Sequence, residues 1–149
     1  MASTKWYGLT ALGQWGATAA ERIDWVTDSI KVSLHTSSYA PNQDTDHYFS
    51  PSATNEVGAS GTYVSGGLAL PGRSTSYNGA TNEVRLIATD WSATSATITA
   101  AFAIIRKDTG TATTSPLMGY VDFAGNVSVT AGTFTIQWDA TGALKAVAA

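Results

Sequence analysis

The chain contains no cysteine. Disulfides, thiolate metal sites and a cysteine nucleophile are excluded, so folding rests on burial and backbone pairing alone. Charge is scarce too. Only 13% of the 149 residues are charged, against about 25% in an average soluble domain. The eight basic residues are outnumbered by 11 acidic ones, giving a net charge of -3 and a pI near 5.1. The basic residues are scattered, and Arg106-Lys107 is the one adjacent pair. Nucleic-acid recognition draws on clustered Lys and Arg, so no nucleic-acid partner is expected. Arg106-Lys107 reads as a solvated strand end before a turn. No apolar run approaches the roughly 20 residues of a membrane span. The start, Met1-Ala2-Ser3-Thr4-Lys5-Trp6-Tyr7, lacks the apolar stretch of a secretory signal. The expectation is a soluble chain made in a cytoplasm, with no membrane partner.

What remains is 44% hydrophobic residues among Thr, Ser, Gly, Asn and Gln. The length predicts one domain with a core of its own. In residues 1–20, Trp6, Tyr7, Leu9, Leu12 and Trp15 follow no clean period. They read as an arm with apolar anchors or as a first strand tucked onto the core. Thr18-Ala19-Ala20-Glu21 fits a capping box and a short helical turn. Ile30, Val32 and Leu34 then alternate with Lys31, Ser33 and His35, the pattern of a half-buried strand with His35 on its polar side. Residues 36–60 form a long loop, either functional or packed by its own aromatics.

Tyr63, Leu68 and Leu70 mark one or two strands. Asn78-Gly79 predicts a two-residue type I′ hairpin turn between a strand ending near Tyr77 and one over residues 81–89. Residues 97–105 are apolar on both faces, as a central strand is. Three further alternating runs follow: Leu117 to Phe123, Val127 with Val129, and Phe134, Ile136 and Trp138. The tail from Leu144 fits an edge strand. Roughly eight strands with Gly and Asn turns predict an all-β, single-domain antiparallel β-sandwich, jelly-roll-like, over residues 21–149 behind the arm of residues 1–20. Ala and Thr on outward faces make a surface that is cheap to desolvate, so some outer faces are expected to meet neighbours.

Catalytic patterns are weak. There are two histidines, His35 and His47, and Gly58-Ala59-Ser60-Gly61 has the wrong spacing for a nucleophile elbow. Asn42, Asp44 and Asp46 resemble the start of a calcium loop, but His47 and Ala53 stand where Gly and Glu are required. Asn and Asp there suit turns instead. Glu21, Glu56 and Glu83 sit in unrelated contexts, without the paired-carboxylate pattern of a glycosidase. The chain is read as no enzyme, with no cofactor and no metal. Of the five tryptophans, Trp138 fits the core, and Trp6 and Trp15 fit interface anchors because Trp is enriched at binding hot spots.

Longer segments carry a resemblance. They are Asp28-Ser29-Ile30-Lys31-Val32-Ser33-Leu34 running into Thr36-Ser37-Ser38-Tyr39-Ala40-Pro41-Asn42-Gln43-Asp44-Thr45-Asp46-His47-Tyr48-Phe49, then Asn55-Glu56-Val57, residues 61–67, Ser115-Pro116-Leu117-Met118-Gly119-Tyr120-Val121-Asp122-Phe123 and residues 132–139. Over most of residues 24–142 the chain resembles small virion structural proteins of tailed bacteriophages. The order Asp46-His47 is swapped against the family's usual His-Asp, and the first 20 residues lie outside the match. The resemblance implies a place in a particle and brings no catalytic motif. It leads to the expectation of a capsid decoration (cement) protein on the capsid exterior, trimeric, bridging subunits of the major capsid protein. The other expectation is a tail or fibre module binding host carbohydrate through the 36–60 loop. Interface candidates are Trp6, Tyr7, Trp15, Tyr39, Tyr48 and Phe49.

Overall fold

A computed structural model describes residues 3–16 and 19–147. Among them eight strands form two antiparallel sheets: β1 (Ser3–Trp6), β2 (Ile30–His35), β3 (Leu68–Ala69), β4 (Ser74–Asn78), β5 (Glu83–Ile87), β6 (Trp91–Lys107), β7 (Leu117–Ile136) and β8 (Leu144–Val147). The order is β1-β7-β6-β2-β3 in one sheet and β4-β5-β8 in the other, an all-β sandwich.

The β6–β7 hairpin organises the molecule. Fully extended, a strand would separate Phe123 from Phe134 by about 35 Å, yet their ring centroids lie 5.8 Å apart. The ribbon therefore turns back on itself. It bends where its register slips, between Ala93 and Ala96, Ala96 and Ile98, and Ala100 and Phe102. Ser95, Ala124 and Ala131 take positive φ beside those slips. Bulges bend a strand and sharpen its twist, and here they roll the ribbon around its own apolar side chains. Ala93, Ile98, Ala100, Phe134 and Ile136 share one core with Val32, Leu70, Trp91 and Leu144. The three alternating runs of residues 117–138 are thus mostly one bent strand that ends at Ile136, with the buried Trp138 just beyond it.

A second cluster, Tyr7, Tyr39, Ile104, Leu117 and Tyr120, packs on the other face of the five-stranded sheet. Neighbours Ile104 and Ile105 belong to different clusters, so β6 is covered on both sides there, as its apolar pattern predicts. β2 is covered as well, which corrects the half-buried reading: Ser33 and His35 are buried beside Val32 and Leu34. The cover comes from the 36–60 loop, tied to the strand by Val57 N–H donating to Leu34 O (2.9 Å) and Thr36 N–H to Asn55 O (3.0 Å). Arg106 is likewise buried rather than solvated. Its guanidinium lies 3.8 Å from the Phe49 ring centroid. Lys107 alone keeps a surface role, donating to Arg22 O and pairing with Asp28.

The predicted hairpin at Asn78-Gly79 forms with a longer turn. Asn78 pairs with Glu83, leaving residues 79–82 as the loop. Asn78 Oδ1 accepts from Ala80 N–H (3.0 Å), and Asn82 supplies the positive φ. The Asn side chain starts the turn through its own backbone bond, and that competes with the two-residue geometry. At the N-terminus, Ser3–Trp6 takes the strand alternative and pairs with residues 119–122 of β7. What stands off the sheets is the short helix α1 (Gly8–Gly13) and Trp15 after it. Thr18 of the capping box lies outside the described residues; Ala19–Glu21 is a 3-10 turn. β8 pairs with β5 as the expected edge strand.

Candidate functional site

A strongly apolar concavity lies beside the N-terminal segment. It has a volume of about 200 Å³ and is floored by Met118, Leu86 and Trp25, with Trp6, Ile23, Val84 and Ala146 on its walls. Trp15 stands at its mouth, 82% exposed. A second hollow of about 240 Å³ shares Trp6, Gln14, Trp15 and Ala146 with it and reaches Ala11 and Lys145.

Local bonding explains why these rings face the groove. Trp6 Nε1–H donates to Lys145 O (2.6 Å) and Trp25 Nε1–H to Ile87 O (2.9 Å). Their polar atoms are thereby used up on β8 and β5, and the ring faces remain. Gln14 fixes the helix end: its amide nitrogen donates to Thr10 O and Glu21 O, and its oxygen accepts from Ile23 N–H. Trp15 follows this bonded residue, and its own backbone N–H donates to Leu12 O (3.2 Å). Among the described residues no charged one lines the first concavity, and Lys145 borders the second hollow. Glu83 and Arg85 pair at 2.7 Å on the other face of β5.

Of the six interface candidates, the groove unites Trp6 and Trp15. Tyr7 and Tyr39 are core residues, which corrects their assignment as anchors: both are buried, and their hydroxyls bond each other at 2.7 Å. Burial pushes both phenols well above the ordinary range; the hydrogen bond between them adds to the rise at Tyr7 and opposes it at Tyr39. Tyr48 and Phe49 are half-buried in the loop, away from the groove. The Tyr48 hydroxyl donates to Glu21 Oε1 (2.6 Å), its ring stacks on His47 at 4.0 Å, and Phe49 carries Arg106. The loop aromatics are engaged within the chain. Asp46 also turns inward, accepting from Asn42 N–H and the Tyr39 hydroxyl, as the turn reading of that cluster predicts.

The remaining groove residues, Ile23, Trp25, Val84, Leu86, Met118 and Ala146, were not singled out by sequence. Val84 and Leu86 fall in the strand expected over residues 81–89, but nothing local connects them to Trp15, about 70 residues away.

One buried pair has the distances of a hydroxyl–imidazole dyad. Ser33 Oγ lies 2.9 Å from His35 Nε2, and His35 Nδ1 lies 2.7 Å from Thr54 O. A carbonyl only accepts, so Nδ1 carries the proton and Nε2 accepts from Ser33. Burial pushes the His35 pKa down to about 4, and the Arg106 charge adds to this against the Thr54 bond. Both side chains are enclosed, which makes the pair an internal brace under the loop. No group of three or more His, Asp or Glu side chains is placed to hold a metal ion among the described residues. Nor is any helix among them long and apolar enough to cross a membrane.

No family model, no curated protein and no solved structure matches the chain.

Proposed function

We propose that the chain is a structural protein of a bacteriophage virion, a decoration protein that sits on the capsid exterior and bridges major capsid subunits. One observation carries the reading: a tryptophan 82% exposed beside an apolar groove. Soluble chains rarely leave such a combination uncovered, and it marks a surface built to meet another. The rolled ribbon supports it. Its outward residues Ser92, Thr94, Thr97, Thr99, Ser128, Thr130, Thr133 and Thr135 are exposed and uncharged. Covering such a surface costs less than covering ionised side chains would. The chemistry is burial, with no bond made or broken. At about 25 cal/mol per Å² of apolar area, each copy adds a modest increment that repetition over a shell makes large.

Quantitative mass spectrometry of purified particles tests the placement, with a copy number of the order of the capsid subunits expected. Trp15→Ser should leave thermal stability unchanged, because the ring touches little of its own chain. It should weaken shell binding about 30-fold, the effect of losing a hot spot of about 2 kcal/mol. A chain absent from particles, or shells occupied equally by Trp15→Ser, overturns the reading.

A further inference from the structure

A β-sheet edge is a row of unpaired backbone donors and acceptors, and stable folds protect it by shortness, cover, bulges or charge. The edges of this sandwich differ in that respect. β3 has two residues. β1 is capped by Gln43, whose side chain donates to Trp6 O (2.6 Å) and whose carbonyl accepts from Gly8 N–H (2.8 Å). The Trp6 indole caps β8 at Lys145 O. The stretch of β6 beyond β2 is covered by the loop at Ser60 and Thr62. The stretch of β7 beyond β1 is broken by bulges with positive φ at Ala124 and Ala131.

β4 has none of these protections. Ser74-Thr75-Ser76-Tyr77-Asn78 has no charge and no proline, its register with β5 is unbroken, and four of its five residues are exposed. Among the described residues its backbone bonds to β5 alone. Nearby charges are already committed. Arg73 donates to the carbonyls of Trp25, Leu70, Val26 and Asp28, and Glu83 holds Arg85. A chain of net charge -3 would therefore meet its own copy here without like charges face to face.

We propose that β4 pairs with β4 of a second copy, antiparallel about a twofold axis at Ser76, to make one continuous six-stranded sheet. All five residues pair with their copies only in that register. It sets Tyr77 opposite Thr75 on both sides of the axis, an aromatic–β-branched pair of the stabilising kind. Tyr77 is 64% exposed and already oriented, its hydroxyl donating to Asn82 Oδ1 (2.8 Å). A threefold ring would need two different open edges, whereas a single open edge closes on itself as a dimer. The pairing thus departs from the expected trimer, and it is independent of whether the chain resides in a virion.

Size-exclusion chromatography with light scattering on the full chain should give a dimer. Ser76→Lys, which sets two ammonium groups across the axis, should give a monomer with unchanged circular dichroism and a melting temperature that no longer depends on protein concentration. Because the chain has no cysteine, Ser76→Cys should oxidise to a disulfide-linked dimer, while Ser74→Cys, facing Asn78 of the copy, should not. A monomeric or trimeric wild-type chain, a dimer that survives Ser76→Lys, or equal linking by the two cysteine variants overturns the proposal.

Discussion

His35 shows what a single polar residue costs when an incoming loop buries it. Its imidazole stays neutral in the fold down to a pKa of about 4, whereas the unfolded chain takes up the proton near pH 6.5. Folded-state pKa lies below the unfolded one for a base, so the contribution is fully present above pH 6.5 and is lost as pH falls toward 4. The unfolded state binds the extra proton across that window. By about pH 5 the loss should reach about 2 kcal/mol, since each unit is worth 1.36 kcal/mol. Urea denaturation between pH 7 and pH 5 measures it. His35→Gln should be less stable at pH 7 but show a flatter profile. Parallel profiles for the two proteins would remove His35 as the cause. The loss precedes the acid range in which carboxylates such as Asp139, held low by Thr141, begin to titrate. Neither His35 nor Arg106 could be read as buried from its own neighbours. Polar letters at alternate positions look solvent-facing until a separate segment, here residues 36–60, is laid over them.

At the scale of elements, the short strand β3 depends on how closely its leading turn approaches β2. Gly67 has φ +78, and a Cβ there would lie 2.2 Å from Val32 O and 2.9 Å from Ser33 Cα. Both obstacles are backbone of a central strand and cannot rotate away. Gly67→Ala combines left-handed strain with overpacking and should cost about 3 kcal/mol, with a melting temperature about 10 °C lower. A melt within a degree or two of wild type would mean the turn can re-form elsewhere. Alternation made the strands legible: Ile30 to Leu34, residues 97–105 and Phe134 to Ile136 all lie in strands. It could not reveal continuity. Period 2 reports which face a residue takes, so Val121, Val129 and Phe134 looked like parts of separate strands. The bulges that join and roll them depend on Ala124 and Ala131 at positive φ, a conformation alanine does not advertise. The groove was legible only as two tryptophans. Its lining comes from β5, β7 and β8, and a sequence does not state which distant strands will converge.

At the scale of the whole molecule, low charge and exposed apolar surface make one argument. A surface that binds by opposing charges weakens as salt screens it, within about 8 Å at physiological ionic strength. The groove around Trp15 is lined by Trp6, Trp25, Val84 and Leu86 and, among the described residues, by no charged one, while Glu83 and Arg85 alternate with Val84 and Leu86 on β5 and pair with each other on its other face. Attachment through it should therefore be nearly indifferent to sodium chloride. Sulfate should strengthen it, because ions excluded from apolar surface favour its burial. Sedimentation of stripped shells with added protein across a salt series reads this directly. Flat or rising occupancy with wild type, together with low occupancy for Trp15→Ser at every salt concentration, assigns attachment to the groove. A steep decline with sodium chloride would transfer the role to rim charges such as Lys145, and the apolar groove would cease to explain how the chain is held.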